Sequence, residues 1–518
     1  MMSFHYVIVG AGSAGCTLAH RLTEDPEARV LLLEAGPADD ADAIRVPALF
    51  GTLFGSDVDW GYELDPQPSY QGSAYFPRGR TLGGSSAINL MIYIRGSRED
   101  FDGWAAGGAT GWDFDSVLPY FVRAEHNSRF TGPPHGTAGP LHVEDRMFTH
   151  ELSKAWTEAA ADWGLDPTED FNGASQLGSG RYQVTCRRGV RRSAADAYLR
   201  PALDRPGLTV RTDAEATRVL VEGGRAVGVE FRADGAVHTV RAEREVLLSG
   251  GVVNSPKLLM LSGVGPGGHL RDLGIGVVAD LPGVGENLHD HVMVPLVWAT
   301  RGSTDLLELA SPHNMERWRR GLGGPFASNG AEVGGFLSVT GGGTADVQFM
   351  GGPTAFVDHG RFSLPLPNFS MQTAVTRPAA RGRLRLRSAD PSAPPHLDPG
   401  YFTERSDLDM TVAGLRASLE IAAREPFARY VKGLALPAGA TDTEDLRAHA
   451  RRRGQSSYHG VGTCAIGAVV DPRLRVHGVA GLRVVDASVM PAIPSGNINA
   501  ATIMIAERAA DLLKAGPR

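Results

Sequence analysis

"YVIVGAGSAGCTLAHRLTEDPEARVLLLEAG", residues 6–36, decides how the chain folds. An apolar strand (Tyr6–Val9) runs into a glycine turn, and a helix follows with Cys16, Ala19 and Leu22 on one side. A second strand, Val30–Leu33, ends at Glu34, which completes a βαβ unit. Gly10, Gly12 and Gly15 form G-x-G-x-x-G between strand and helix. The first glycine permits a tight turn, the second lets a pyrophosphate approach the backbone, and the third lets helix and strand pack closely. The helix N-terminus favours the phosphate charge. Glu34, 19 residues past Gly15, is placed to hydrogen-bond a ribose 2′-OH. A bare glycine motif arises easily in a chain with 65 glycines, but the whole unit with its acid specifies a dinucleotide adenosine site.

Gly263, Gly265 and Gly268 in "SGVGPGGHL" match the same pattern and act as a control. They follow a segment that reads as a helix, "SPKLLML", and carry Pro266 inside the turn. No strand ending in an acid is correctly placed after them. They are rejected as a second, pyridine-nucleotide site. With no CxxC pair either, this argues against a pyridine-nucleotide–disulfide reductase.

Working outward, 518 residues are too many for one core, so two or more domains are expected. A composition of 42% hydrophobic and 21% charged residues with net charge −7 gives no electrostatic reason for nucleic acid or an anionic membrane as partner. Three cysteines, odd in number and far apart, fit neither a disulfide framework nor a zinc site, and suit a reducing compartment. No signal peptide precedes the opening strand, and no charge-free apolar run approaches the roughly 20 residues of a membrane span. The expectation is a cytoplasmic protein without a membrane span; nothing in the sequence sets its oligomeric state. Residues 36–80 form a long irregular stretch of the kind that usually carries function. Residues 208–248 read as short alternating strands, and "ATIMIAERAADLLKAG" as an amphipathic last helix.

Four further stretches carry a family resemblance: "PRGRTLGGSSAINLMIYIRGS" (Pro77–Ser97), "GGVVNSPKLLMLSGVG" (Gly250–Gly265), "LPGVGENLHDH" (Leu281–His291) and "LRVVDASVMPAIPSGNINAATIMIAERAADLL" (482–513). With the βαβ unit, they resemble the glucose–methanol–choline (GMC) oxidoreductases, in particular the choline-dehydrogenase-like branch, over essentially the whole chain. These are FAD-dependent enzymes that mostly oxidise alcohols. The resemblance implies an α/β fold: a Rossmann-like FAD-binding domain from residues 1–155, 190–300 and 455–518, and an α+β substrate-binding domain with an antiparallel sheet from 156–189 and 301–454. The cofactor contacts it implies are Gly10, Gly12, Ser13, Ala14, Gly15, Glu34 and Ala35 in the βαβ unit, and Arg80, Gly83, Gly84, Ser85, Asn89 and Ile92 in the first signature. Ala216 stands where the family commonly has a valine against adenine, and Asp486 and Ala487 complete the set. Some relatives link FAD covalently through a histidine just before the signature asparagine. Ile88 precedes Asn89 here, so FAD is expected to bind without a covalent bond. His289, Asp290 and His291 on one short loop lack a distant fourth ligand, and no metal is expected.

"QSSYHGVGTCAIG" (455–467) resembles the family's YHPxGTCxMG loop, whose histidine faces the flavin near N5; Gly460 replaces the usual proline and Ile466 the usual methionine. The resemblance thus implies His459 as the base, and counting back from the last helix favours Asn497 over Asn499 as its partner. An imidazole with an ordinary pKa near 6.5 accepts a hydroxyl proton close to neutral pH, and an amide N–H steadies the developing alkoxide while hydride leaves the carbon. The implied substrate is a small-molecule alcohol, and the implied electron acceptor is dioxygen or a quinone-type molecule. The rival readings keep the fold as a hydroxynitrile lyase or a fatty-acid photodecarboxylase. Nothing near Cys464 would activate its thiol, so a packed small residue is the better reading. The cluster "CRRGVRR" (186–192) reads as a solvated face, and Glu332, a conceivable partner for a cationic substrate, sits in a segment generic for the family. Residues 300–455 carry no motif that identifies the alcohol.

Overall fold

The computed structural model describes residues 3–361, 364–439 and 441–516; the outermost positions of the expected FAD-binding segments, 1–2 and 517–518, lie outside them. The opening apolar run becomes a central strand, Ser3–Val9, of a mixed sheet ordered Leu208–Arg211, Val30–Leu33, Ser3–Val9, Ala236–Leu248, Arg225–Ala233, Glu215–Glu222. The first four strands run parallel, and Leu482–Val484 adds a parallel partner to Ala236–Leu248. Every residue of Val30–Leu33 is buried, as a parallel strand covered on both faces requires. Gly10 closes the strand end by donating its N–H to Leu33 O at 2.8 Å. The helix Ser13–Leu22 follows at once and packs on the last helix, Asn499–Lys514. Between them, the fully buried Glu507 accepts from Arg21 Nε (2.8 Å), Arg123 Nε (2.7 Å) and the Tyr198 hydroxyl (2.8 Å). This clasp carries the C-terminal loop to the glycine turn, where Ser13 Oγ donates to Asn499 Oδ1 at 2.6 Å.

A second, antiparallel sheet is ordered Val431–Leu436, Val292–Thr300, Asn368–Val375, Val347–Gly352, Val333–Leu337, Gly178–Arg181, with Gln455–Ser456 paired to Val292–Thr300. Two of these strands fall inside segments expected to belong to the FAD-binding unit, Val292–Thr300 within 190–300 and Gln455–Ser456 within 455–518. The reason is local: "VMVPLVWA" is apolar on both faces, and only a strand with neighbours on each side buries it fully. The helix Arg405–Ala422 covers the sheet by packing on Asn368–Val375. The second glycine motif behaves as a turn after the helix Gly251–Leu261, with Asp280 accepting the Gly267 N–H at 2.8 Å. Among the described residues, no helix is long and apolar enough to cross a membrane.

Candidate active site

A continuous cavity, about 2110 Å³ of empty space with its open mouth, lies between the two sheets and runs from the glycine turn to the His459 loop. Gly10, Gly12, Ser13, Ala14, Glu34, Ala35, Gly84, Ser85, Asn89, Ile92, Ala216, Asp486 and Ala487 all stand on its wall. Gly15, Gly83 and Arg80 stand one layer behind. A Cβ on Gly15 would lie 1.9 Å from Gly10 O, so this glycine lets the helix seat against the turn. Gly83 donates its N–H to Ala11 O at 2.8 Å, and the Arg80 guanidinium lies 5.2 Å from the ring centre of Trp60, itself a wall residue.

The wall chemistry fits an anionic dinucleotide. A Cβ on Gly84 would come within 2.7 Å of Gly12 Cα, so two glycine loops face each other as bare backbone at a helix N-terminus. Glu34 accepts the N–H groups of Ala11 (2.8 Å) and Gly36 (3.0 Å) and keeps lone pairs for a ribose hydroxyl; burial pushes its carboxyl up to about 7. Asp486 is placed differently from a free ligand. Its carboxylate accepts from Gly251 N (2.9 Å), Ser255 Oγ (2.6 Å), Ser488 N (2.8 Å) and Ser488 Oγ, so what it offers the cavity is backbone. Arg78, two residues before Arg80 in the same signature, escaped the sequence reading. It lies on the cavity wall with Nε and Nη2 buried and unpartnered among the described residues, its guanidinium 4.6 Å from the Phe76 ring centre. A buried, uncompensated cation is costly, and an anionic cofactor group removes that cost.

Arg191 corrects the reading of "CRRGVRR" as a solvated face. It is 1% exposed and donates to Ile44 O (2.7 Å), Ser86 O (3.2 Å) and Asn89 Oδ1 (2.8 Å). Those bonds brace the loop that presents Asn89, whose Oδ1 also accepts the Met91 N–H at 3.0 Å, while burial lowers the Arg191 guanidinium to about 10.

At the far end of the cavity, His459 and Asn497 meet, with His459 Nε2 and Asn497 Nδ2 3.1 Å apart. The protonation of this pair follows from its neighbours. Thr376 O can only accept, so His291 Nε2, 2.8 Å away, carries the hydrogen and His291 Nδ1 bears a lone pair. His459 Nδ1, 2.9 Å from that lone pair, therefore donates to it. The free lone pair of His459 is left on Nε2, facing Asn497. Asn497 is oriented in turn, because Gln348 Nε2 donates to its Oδ1 at 3.1 Å and leaves Nδ2–H for the histidine. Burial first, then His291 and Arg78, hold the His459 imidazole well below its ordinary value, and burial lowers that of His291, so both rings are neutral near pH 7.

The backbone around His459 is pinned on both sides of Gly460. Asp290 accepts the His459 N–H at 2.8 Å and the Tyr401 hydroxyl at 2.6 Å, and Val461 N–H donates to His289 O at 2.9 Å. Ser456 Oγ accepts the Tyr458 N–H at 2.8 Å, which supports the left-handed φ of 67° at that residue. The loop thus gains from hydrogen bonds the stiffness that the family's proline would supply. The His289-Asp290-His291 run is consumed by these contacts, with His289 Nδ1 donating to Asn287 O (2.6 Å) and Nε2 accepting from Ile493 N (3.0 Å). Burial raises the Cys464 thiol well above its ordinary value, so it does not supply a thiolate. Glu332 faces away from the cavity, accepting from His150 N (2.8 Å) and Ser328 Oγ (2.6 Å).

Comparison with known proteins identifies the family of the chain. The N-terminal model of the family described as GMC oxidoreductase matches residues 4–293, and its C-terminal model matches residues 378–506. The chain is 42% identical over 539 residues to the mitochondrial choline dehydrogenase of Mus musculus, covering 99% of this chain and 90% of that protein. It is 41% identical to an alcohol dehydrogenase [acceptor] of Pseudomonas putida, covering 98% and 95%. Among solved structures, a formate oxidase of Aspergillus oryzae studied for FAD modification superposes with a TM-score of 0.93 at 27% identity, covering 99% of this chain and 98% of that one.

Proposed function

The chain belongs to the GMC oxidoreductase family, an FAD-dependent oxidoreductase for CH–OH donors, and on that premise we propose that it oxidises an alcohol to an aldehyde or ketone with His459 as proton acceptor and Asn497 as its partner. The observation that carries this reading is the relay Thr376–His291–His459–Asn497, which leaves one unprotonated nitrogen, His459 Nε2, aimed at an amide N–H inside the cavity. FAD bound along this wall, where Ile88 offers no nucleophile for a covalent link, would supply the hydride acceptor.

The chain's own residues do the rest. An alcohol oxygen that enters between His459 Nε2 and Asn497 Nδ2 gives its proton to the first and receives a hydrogen bond from the second. Because His459 Nδ1–H is already donated to His291, proton uptake at Nε2 needs no tautomer change. The imidazolium that forms and the Asn497 N–H then both face the developing alkoxide, which promotes departure of the α-hydride. The acceptor that completes the cycle is dioxygen or a quinone-type molecule. The reducing, cytoplasmic setting belongs to the same proposal and is supported by Cys16, Cys186 and Cys464, all free and buried. Anaerobic mixing of the yellow holoenzyme with primary and secondary alcohols tests the reading: at least one alcohol bleaches the visible absorbance of the flavin, and bleaching by none refutes it.

A further inference from the structure

We propose that Gln348 is a positioning residue for the oxidation, holding the Asn497 amide with its N–H toward the reacting oxygen. The inference rests on the alcohol-oxidation reading and adds to it a residue that touches no substrate. Gln348 is 1% exposed and stands behind the cavity wall. It lies on the strand Val347–Gly352, between Val347 and Phe349, both fully buried. A polar side chain in such surroundings costs stability unless its hydrogen bonds are made, so its bonds account for its presence. Gln348 Nε2 makes two of them, to Asn497 Oδ1 at 3.1 Å and to Tyr182 Oη at 3.5 Å. Tyr182 in turn donates its hydroxyl hydrogen to Phe349 O, and burial raises the phenol so that the hydrogen stays on it.

A backbone carbonyl only accepts, and this fixes the direction of the whole chain of bonds. With its hydrogen committed to Phe349 O, Tyr182 Oη offers Gln348 a lone pair, which calls for an Nε2–H. The second hydrogen of the same nitrogen meets Asn497 Oδ1 and leaves Asn497 Nδ2 facing His459 Nε2, 3.1 Å away. Turning Gln348 over would set its carbonyl against two acceptors. Turning Asn497 over would set Oδ1 against the free lone pair of His459. The gap that receives the alcohol oxygen is therefore addressed from two sides. Thr376 O acts through His291 on His459, and Phe349 O acts through Tyr182 and Gln348 on Asn497. An N–H in that gap answers the developing alkoxide, whereas Oδ1 would repel it, and loss of one such donor costs on the order of 10²–10³ in rate.

The test is a double-mutant cycle on the holoenzyme, read as anaerobic flavin reduction by one alcohol at several concentrations. Gln348→Met, close in shape and without a donor, is expected to slow reduction about tenfold while the alcohol Kd stays within about threefold. In an Asn497→Ala background the same substitution should change the rate less than about twofold, because Gln348 acts only through Asn497; losses that add in the double variant overturn the proposal. Gln348→Glu reads the direction of the amide. An ionised carboxyl only accepts, so it draws Asn497 Nδ2–H to itself and turns Oδ1 toward His459 Nε2, while a protonated one donates to Oδ1 as Gln348 does. The groups facing this position are Tyr182 and Asn497, and Arg146, whose charge lowers Tyr182, favours the ionised form. The ratio of wild-type to Gln348→Glu rates should therefore climb with pH to about 10² or more; a large ratio independent of pH, as a merely structural defect gives, overturns the proposal. If Gln348→Glu does not fold, the cycle decides. Bleaching by no alcohol refutes the oxidation reading instead, and the His459 Cε1–H resonance then judges this one. Its titration midpoint should move up in Gln348→Glu, where Oδ1 favours a proton on Nε2, and stay in Gln348→Met; an unmoved midpoint in folded Gln348→Glu overturns the proposal.

Discussion

His291→Leu tests the relay at its hidden member. The substitution removes the Nδ1 lone pair that receives His459 Nδ1–H at 2.9 Å and leaves that donor buried without a partner. Two losses follow. The resting imidazole is no longer held as the tautomer with Nε2 free, and the imidazolium formed on proton uptake loses a charge-assisted hydrogen bond. Such a bond contributes about 1.5–3 kcal/mol, and about 1.4 kcal/mol is a factor of ten in rate, so flavin reduction should slow about 10- to 100-fold. Alcohol binding should change by less than about threefold, because His291 does not line the cavity and the penalty falls on the proton transfer. Anaerobic stopped-flow mixing at several alcohol concentrations separates the two quantities, and flavin content confirms a folded holoenzyme. His291→Gln, which restores an acceptor, should recover part of the rate. Reduction within about twofold of wild type in His291→Leu would show that the relay does not govern the base.

Three further outcomes follow from the same geometry. Arg78→Met removes an unpaired buried cation, so the FAD-free protein should melt at a higher temperature while FAD affinity falls about tenfold or more; both shifts with one sign would contradict the assignment. Gly460→Pro should leave flavin reduction within about threefold, since the flanking hydrogen bonds already fix the loop, and should lower stability by about 1–3 kcal/mol, since a Cβ there meets Phe76 at 3.0 Å and Val252 at 3.3 Å; collapse of activity would show that glycine is required. Burial holds His289 down to about 3 and His359 to about 4, below the ordinary 6.5, so the unfolded chain binds more protons in acid. Stability is then full above pH 6.5 and falls as pH drops, by about 2 kcal/mol for each of the two at pH 5. Glu34, raised to about 7, offsets about one such share, and the lowered His150, His291, His449 and His459 restore the sign. Urea midpoints at pH 7.5 and pH 5 check it, and equal or higher stability at pH 5 refutes it.

The nucleotide end of the site was legible because its information is local. A glycine turn, its helix and the acid ending the next strand lie within some thirty residues, each with one physical job. Asn497 and His459 were reached only through motif resemblance, and their meeting depends on a loop and a C-terminal helix clasped by Glu507 to the first helix. His291 was visible as a residue but not as a partner, because 168 positions separate it from His459 and a short His-Asp-His run suggests a ligand group before it suggests a hydrogen-bond relay. Arg191 and Arg78 show the limit of charge reading: both sit in basic or polar stretches, and only the fold reveals that one braces Asn89 while the other faces a cavity unpaired. Val292–Thr300 was assigned across a boundary because an apolar run states that it is buried, not which sheet buries it.

The central claim is that His459 Nε2 takes the hydroxyl proton. The most direct measurement is anaerobic flavin reduction by a single alcohol in wild type and His459→Ala, both loaded with FAD. The predicted result is a variant that stays yellow, binds the alcohol, and reduces on the order of 10²–10⁴-fold more slowly than wild type. Reduction at the wild-type rate in the variant would contradict the account.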